Sequence, residues 1–264
     1  MNILFIGDVF GECGIVALEN EIPLLLESNK IDFIIVNAEN TSSGRGLTYS
    51  DYRRIINTGV NFITMGNHTW HKKEIKEILN SESNIIRPHN ISPTESIFEW
   101  GVGTKEFKVK NKTLRVTNLI GSSIIFNYKQ TNPFIELDEI IAIDNSDIHI
   151  VDFHAETTSE KNAFLINFNG QVSAILGTHT HVQTGDNKIV NDTAYITDVG
   201  MTGPSNGIIG AKPDSIVAKF RGESEFFRLE EQIGPYQFSA VIIEFDDVTN
   251  KPKDIMRILK YQIK

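Results

Sequence analysis

The chain has 264 residues, 40% of them apolar, and a formal net charge of −9. That apolar share supports a sizeable core and excludes a disordered chain, and the acidic balance excludes binding a nucleic-acid backbone through bulk charge. One cysteine, Cys13, excludes an internal disulfide, and the short apolar run MNILFIGDVF has no basic region before it, so a cytoplasmic protein without a membrane span is predicted.

Apolar runs alternate with amphipathic stretches along the first third. Strands are predicted over 2–7, 31–37, 60–65 and 84–87, and helices over 15–28, 48–58 and 72–79. Pro23 would kink the first helix or mark its second half. Thr48 would cap the second helix, with Asp51 three residues on. This alternation predicts parallel pairing with right-handed crossovers. From about residue 97 the period changes. Segments 104–110 and 113–119 alternate around Asn111-Lys112 and predict a hairpin. Further strands are predicted over 148–153, 172–176, 194–197 and 237–245, and helices over 159–168 and 214–220. There is no repeat and no Pro-, Gly- or Ser-rich linker, so residues 1–264 are read as one α/β domain.

Residues of metal-binding type sit where these strands end. Asp8 follows the first strand, Glu39-Asn40 the second and Asn67-His68 the third. His154 follows 148–153, and His179 and His181 follow 172–176 in Gly177-Thr178-His179-Thr180-His181. Each has a plainer reading: Asp8 as a helix cap, Glu39-Asn40 as loop polarity, His154 as a satisfied core histidine. His71 and His89 are read as structural or surface residues, and His149 as facing the core or an edge. The joint pattern is stronger, because ligands gather at the carboxyl ends of strands in α/β sheets. Two imidazoles two residues apart would project the same way from an extended segment. An O/N set without cysteine suits Mn²⁺, Fe or Zn²⁺ better than Ca²⁺ or Mg²⁺ alone. Seven candidate ligands exceed the need of one tetrahedral ion and fit two, with one carboxylate bridging.

GD near the N-terminus, GNH in the middle and GTHTH near the C-terminus resemble the calcineurin-like metallophosphoesterase superfamily. The fuller set (GDVFG, NAEN, GNHTW, RPHN, DFHAETTSEK, GTHTHVQT, AYITDVGMTGP) is similar to its YmdB-like branch of bacterial phosphodiesterases active on 2′,3′-cyclic nucleotides. The resemblance runs from Gly7 to about Gly210. It implies a four-layer α/β/β/α sandwich with mixed sheets and a binuclear metal site at the strand ends. It implies that Asp8, Asn40 and His181 hold one ion, that Asn67, His154 and His179 hold the other, and that Glu39 bridges. His68 would be the catalytic imidazole, protonating a leaving ribose oxygen while a hydroxide generated by the ions attacks phosphorus. The cofactors implied are two divalent or trivalent ions per chain, Fe or Mn, with Zn or Mg also compatible.

Three positions depart from the pattern: Phe10 replaces the superfamily's first-motif histidine, Glu39 replaces its bridging aspartate, and His71 stands where an acidic residue often follows GNHTW. The substrate implied is a small phosphodiester or an RNA end, without stable nucleic-acid or membrane binding. The resemblance also suggests a homo-oligomer, for which the aromatic-rich stretch 97–134 offers a surface. Arg45, in Ser42-Ser43-Gly44-Arg45-Gly46, reads equally as a phosphate contact or a solvated loop residue. Two alternatives share these residues: a regulatory metalloprotein with incidental hydrolysis, and a phosphomonoesterase or nuclease of the same fold.

Overall fold

The computed structural model describes residues 1–225 and 230–262. In chain order the elements are β1 (Asn2–Ile6), β2 (Asp8–Val9), α1 (Gly11–Ser28), β3 (Phe33–Asn37), α2 (Tyr49–Asn57) and β4 (Phe62–Thr64). A 3-10 turn (Thr69–His71) leads into α3 (Ile75–Ser81), β5 (Thr104–Val109), β6 (Lys112–Ile120), α4 (Pro133–Ile143), β7 (Ile148–His154) and α5 (Thr158–Phe168). The remainder are β8 (Ala174–Thr178), β9 (Lys188–Val190), β10 (Thr193–Ile196), β11 (Met201–Pro204), α6 (Pro213–Phe220), β12 (Tyr236–Phe245) and β13 (Pro252–Tyr261).

The strands form two mixed sheets. One runs β2-β11-β12-β1-β3-β4 with β13 added along β12; the other runs β5-β6-β7-β8-β10-β9. β1, β3 and β4 pair in parallel, as do β6, β7, β8 and β10. Strand periodicity explains how the sheets stack, since alternate residues leave opposite faces. Ile3 and Phe5 of β1 join Ile35, Phe62, Val241 and Ile243 in a core that meets Val116, Ile150, Leu176 and Ile196 of the second sheet. Leu4 and Ile6 face the other way and pack with Ile15, Leu18, Ile55 and Ile78 from α1, α2 and α3. Val151, Phe153, Ile175 and Tyr195 cover the far side of the second sheet with Leu137 and Ile140 of α4 and Phe164 and Phe168 of α5. The result is the four-layer α/β/β/α sandwich.

Several boundaries differ from the sequence reading. Residues 84–87 form no strand: only an isolated bridge, Ile63 to Ile85, reaches β4. α1 begins at Gly11 and runs through Pro23 as one helix. The hairpin turns at Lys110-Asn111, because Val109 pairs with Lys112 and Lys110 takes φ 55°. α4 was not predicted, although Asn132 caps it through Phe134 N–H and Pro133 occupies its first turn. The edge strand β13 was also missed. Met256, Leu259 and Tyr261 are exposed although they fall on both faces, so no clean alternation marks it. The Thr48 cap is as expected, its hydroxyl accepting from Asp51 N–H. Among the described residues no helix is long and apolar enough to cross a membrane.

Candidate active site

The strand ends bring all eight predicted residues to one seam between the sheets. Asp8 lies in β2, Glu39 and Asn40 follow β3, and Asn67 and His68 follow β4. His154 closes β7, and His179 and His181 follow β8. Asp8, Glu39, Asn40, His154 and His181 are buried.

His154 is at the centre. Its Nδ1 lies 2.8 Å from Thr178 Oγ1, and that hydroxyl donates to Asp152 Oδ1 at 2.7 Å. The hydroxyl's own proton is committed, so the network assigns the hydrogen to Nδ1 and turns Nε2 toward the site. Nε2 then meets Asn67 Oδ1 at 3.0 Å, His179 Nδ1 at 3.0 Å and Glu39 Oε1 at 3.3 Å. Four acceptor-type atoms converging on one point need a positive centre. In the protein alone a proton fills that place: burial opposes charge on His154, but Glu39, Asp8 and Asp152 override it and push its pKa up to about 9. Glu39, His154 and His179 offer ligand atoms that all lie within 4.8 Å of one another.

Glu39 faces both halves of the cluster. Its Oε1 accepts from Asn40 Nδ2 at 2.8 Å and its Oε2 from His68 N–H at 2.9 Å. Burial would raise its pKa, yet His154, His68 and His179 hold it well below the usual carboxylate range. Asn40 Nδ2 also lies 3.1 Å from His181 Nε2, whose Nδ1 lies 2.9 Å from Ile209 C=O. Asp8 Oδ2 accepts His179 N–H at 3.1 Å, while its Oδ1 is buried with no hydrogen-bond partner. Burial, partly offset by His181 and His154, pushes the Asp8 pKa up to about 6. A buried acceptor without a donor carries a penalty that a cation beside it would remove. Gly66 permits this convergence, since a Cβ there would stand 2.3 Å from Glu39 Oε2 and 2.5 Å from His154 Nε2.

The GTHTH segment is not extended. His179 and His181 take φ of 99° and 67°, a left-handed backbone that costs of order 1–3 kcal/mol per non-glycine residue. The two rings therefore reach different partners, and surrounding bonds hold the strain. Asp198 Oδ2 accepts from Thr180 N–H at 3.0 Å and Thr180 Oγ1 at 2.8 Å. The fully buried Lys161 spans Asp198 Oδ2 at 2.7 Å and Thr178 C=O at 2.8 Å. Glu156 Oε2 lies 2.8 Å from His179 Nε2, which leaves Nδ1 to face His154. Residue types alone did not single out these supports, nor Asp152, Thr178 and Asn37. Their signal was position, because they lie inside the quoted motifs NAEN, DFHAETTSEK, GTHTHVQT and TDVG.

Phe10, between β2 and α1, lines the cavity over the cluster. Its ring meets His181 edge-on at 5.8 Å, and Gly44 and Gly210 close against it. His68 takes no part in the acceptor cluster through its ring; Nδ1 is buried without a partner. Burial, with His71 and Arg45 adding and Glu39 opposing, pushes its pKa down to about 4, so the imidazole is neutral near pH 7 in the protein alone. His71 is exposed, with its ring 4.8 Å from that of His68. His89 pairs with Glu136 at 3.5 Å, and the buried His149 sits 2.8 Å from both Asp144 and Thr117; neither lies in the cluster. A cavity of about 240 Å³ opens over the cluster, lined by Glu39, Asn40, Arg45, His68, His179 and His181 among others.

A 2′,3′-cyclic-nucleotide 2′-phosphodiesterase of Bacillus subtilis is 42% identical over 262 residues, 98% of this chain and 97% of that protein. The crystal structure of a phosphatase from Mycoplasma pneumoniae superposes with TM-score 0.95 at 41% identity, covering 99% of this chain and 93% of that one. A hypothetical protein from Thermus thermophilus gives TM-score 0.90 at 33% identity over the full length of both chains. The family model described as YmdB-like protein matches residues 4–258, and with this fold and these relatives the chain belongs to the YmdB-like family.

Proposed function

We propose that this protein is a metal-dependent phosphodiesterase acting on 2′,3′-cyclic nucleotides at the P–O2′ bond. The observation that carries the reading is Glu39, a buried carboxylate placed between two groups of ligand-type atoms. Asp8, Asn40 and His181 would hold one ion, with the Asn40 amide turned to present oxygen. Asn67, His154 and His179 would hold the second, and Glu39 would bridge. A mixed O/N donor set without sulfur fits Fe or Mn, with Zn or Mg also compatible. When bound, two such cations offset phosphate charge and make water a better nucleophile near neutral pH.

The chain's own residues supply the rest. Water adds to phosphorus and gives up a proton to solvent, the P–O2′ bond breaks, and O2′ takes a proton from His68, which is reprotonated from solvent, leaving a 3′-phosphomonoester and a 2′-hydroxyl. His68 is neutral in the protein alone. A phosphodiester anion bound beside it favours the protonated ring, so acid and substrate arrive together. Arg45 lines the same cavity, and its guanidinium makes no hydrogen bond or ion pair with the described residues, which leaves it available to a phosphate oxygen. The relative from Bacillus subtilis, named for 2′,3′-cyclic-nucleotide 2′-phosphodiesterase activity, supports the choice of bond.

The test is a panel of 2′,3′-cyclic nucleotides, the matched 2′- and 3′-monophosphates and nitrophenyl esters, run with Mn²⁺ and with chelator. Cyclic diesters should be opened faster than monoesters release phosphate, and chelator should abolish both. Preferential monoester cleavage would favour a phosphatase. Metal analysis of the purified protein should give two ions per chain.

A further inference from the structure

A second cleft of about 530 Å³ is lined by Asn67, His68 and Arg45 and walled by Trp70, Phe126 and Tyr128. Arg45 and His68 line both this cleft and the cavity over the cluster, so the two spaces meet at those residues. Trp70 and Phe126 are stacked at 13° with centroids 5.7 Å apart, and Tyr128 stands edge-on to Trp70 at 5.4 Å. These rings are not a miniature core. Phe126 and Tyr128 are only half-buried, and Ile125 beside them is 97% exposed. Asn67, His71 and Asn127 put polar groups around the same space.

We infer that this aromatic cleft is the subsite for the nucleobase of the substrate. The inference rests on the phosphodiesterase reading above, and covalent geometry gives it direction. In a 2′,3′-cyclic nucleotide the leaving O2′ is on the carbon next to C1′, which carries the base. If the phosphate sits over the cluster and O2′ meets His68, the ribose lies at His68 and Arg45. The base must then project beyond them, into the space that Trp70, Phe126 and Tyr128 wall. Aromatic faces suit that occupant, because every base offers a π-face whatever its hydrogen-bonding edge. Stacking alone discriminates weakly among bases, with purines favoured for their larger face. The cleft therefore selects a nucleoside phosphodiester over a base-free one.

Two readouts test this. The first compares kcat/KM for adenosine 2′,3′-cyclic phosphate with that for methyl ribofuranoside 2′,3′-cyclic phosphate, which lacks a base. Stacking is worth about 1–3 kcal/mol per base, so Phe126→Ala and Tyr128→Ala should each lower the ratio of the two by about 5- to 150-fold. Both side chains are half-exposed, so folding should survive. The second readout needs no turnover. The chain has two tryptophans, so Trp100→Phe leaves Trp70 as the sole indole fluorophore. Adenosine 3′-monophosphate should quench it saturably, ribose 3-phosphate should not, and either alanine variant should weaken nucleotide binding about 5-fold or more. An unchanged substrate ratio, or a quench absent or indifferent to both alanines, overturns the subsite. Failure of the wild-type protein with Mn²⁺ to open either cyclic ester overturns the phosphodiesterase reading instead, and the quench still decides the subsite.

Discussion

Gly66→Ala is the sharpest single perturbation of the proposed centre. Gly66 is not among the positive-φ residues, so alanine is allowed by the backbone and the effect is steric alone. A Cβ placed there stands 2.3 Å from Glu39 Oε2, 2.5 Å from His154 Nε2 and 2.7 Å from His154 Cδ2. Real Cβ contacts essentially never fall under 3.0 Å, so Glu39 must retreat by about 0.7 Å and His154 by about 0.5 Å. Both side chains are held by hydrogen bonds, Glu39 to the Asn40 amide and His68 N–H and His154 through Thr178 to Asp152, so the move breaks or stretches those bonds. Overpacking of this kind costs about 1–3 kcal/mol, which for a chain of this size lowers the melting temperature by roughly 2–12 °C. Catalysis should suffer more, because a misplacement near 1 Å is worth about 100-fold in rate. The assay is cyclic-nucleotide turnover with Mn²⁺, alongside metal content and a thermal melt. A variant that loses about 100-fold in kcat/KM and binds metal poorly, yet melts as a folded protein, matches the reasoning. Retention of more than half the turnover and full metal content would falsify the placement of the site.

Other perturbations separate the roles. Glu39→Gln should release both ions more readily than Asp8→Asn releases one, and equal mild losses in titration calorimetry would argue against bridging. His68→Ala should lose about 10²–10⁴-fold in rate on cyclic nucleotides with both ions retained, and less on a nitrophenyl ester whose leaving group needs little protonation. A metal-depleted variant, or an equal loss on both substrates, would make His68 a ligand or structural residue. A general acid works only while protonated, so activity should fall as pH rises through the His68 pKa. That fall should lie at higher pH in kcat, which reports the complex with the phosphate anion beside the ring, than in kcat/KM, which reports the substrate-free enzyme. Persistence of the same alkaline limb in His68→Ala would refute the assignment. Lys161→Met should cost about 3–5 kcal/mol by leaving the Asp198 carboxylate buried without its counter-charge. Adding Asp198→Asn should recover part of that loss in denaturant titrations, and a double variant no more stable than the single one would deny the pair its role.

The position of the candidate site was legible because chemistry and punctuation coincide there: each candidate ligand follows a recognisable apolar run. Thr48 and Asp51 announced α2 in the same way. What stayed hidden depends on tertiary placement. The turn that sends His179 and His181 to separate partners is held by Asp198, which is distant in sequence, so local spacing suggested two parallel imidazoles from an extended loop. The Asp152–Thr178–His154 chain joins β7 to β8 and has no local period. Residues 84–87 are apolar enough to read as a strand, but tertiary pairing gives them only one bridge. The aromatics Phe126 and Tyr128 read as a contact surface, whereas they gather with Trp70 beside His68.

The division of donors between the two sheets gives a physical reason for the fold to carry this site. Asp8, Glu39, Asn40 and Asn67, all oxygen-type residues, come from the first sheet. His154, His179 and His181, all nitrogen donors, come from the second. Neither sheet alone supplies a set that mixes the two. The separation between them is set by the close-packed layer of Ile3, Phe5, Ile35, Ile150 and Leu176, which tolerates little change of volume. Each sheet also fixes its own half. Asn37 Nδ2 reaches across to Asp152 Oδ2 at 3.0 Å, and the Thr64 hydroxyl donates to the same oxygen at 2.5 Å, so the carboxylate that orients His154 is tied to β3 and β4. The nitrogen half is thereby registered against the oxygen half by hydrogen bonds as well as by packing. A centre assembled across such a seam is rigid where ligands must converge. The residues that line the space beside it, Arg45 in the 42–46 loop and the aromatic wall at 125–128, lie outside this seam, where substrate would be chosen.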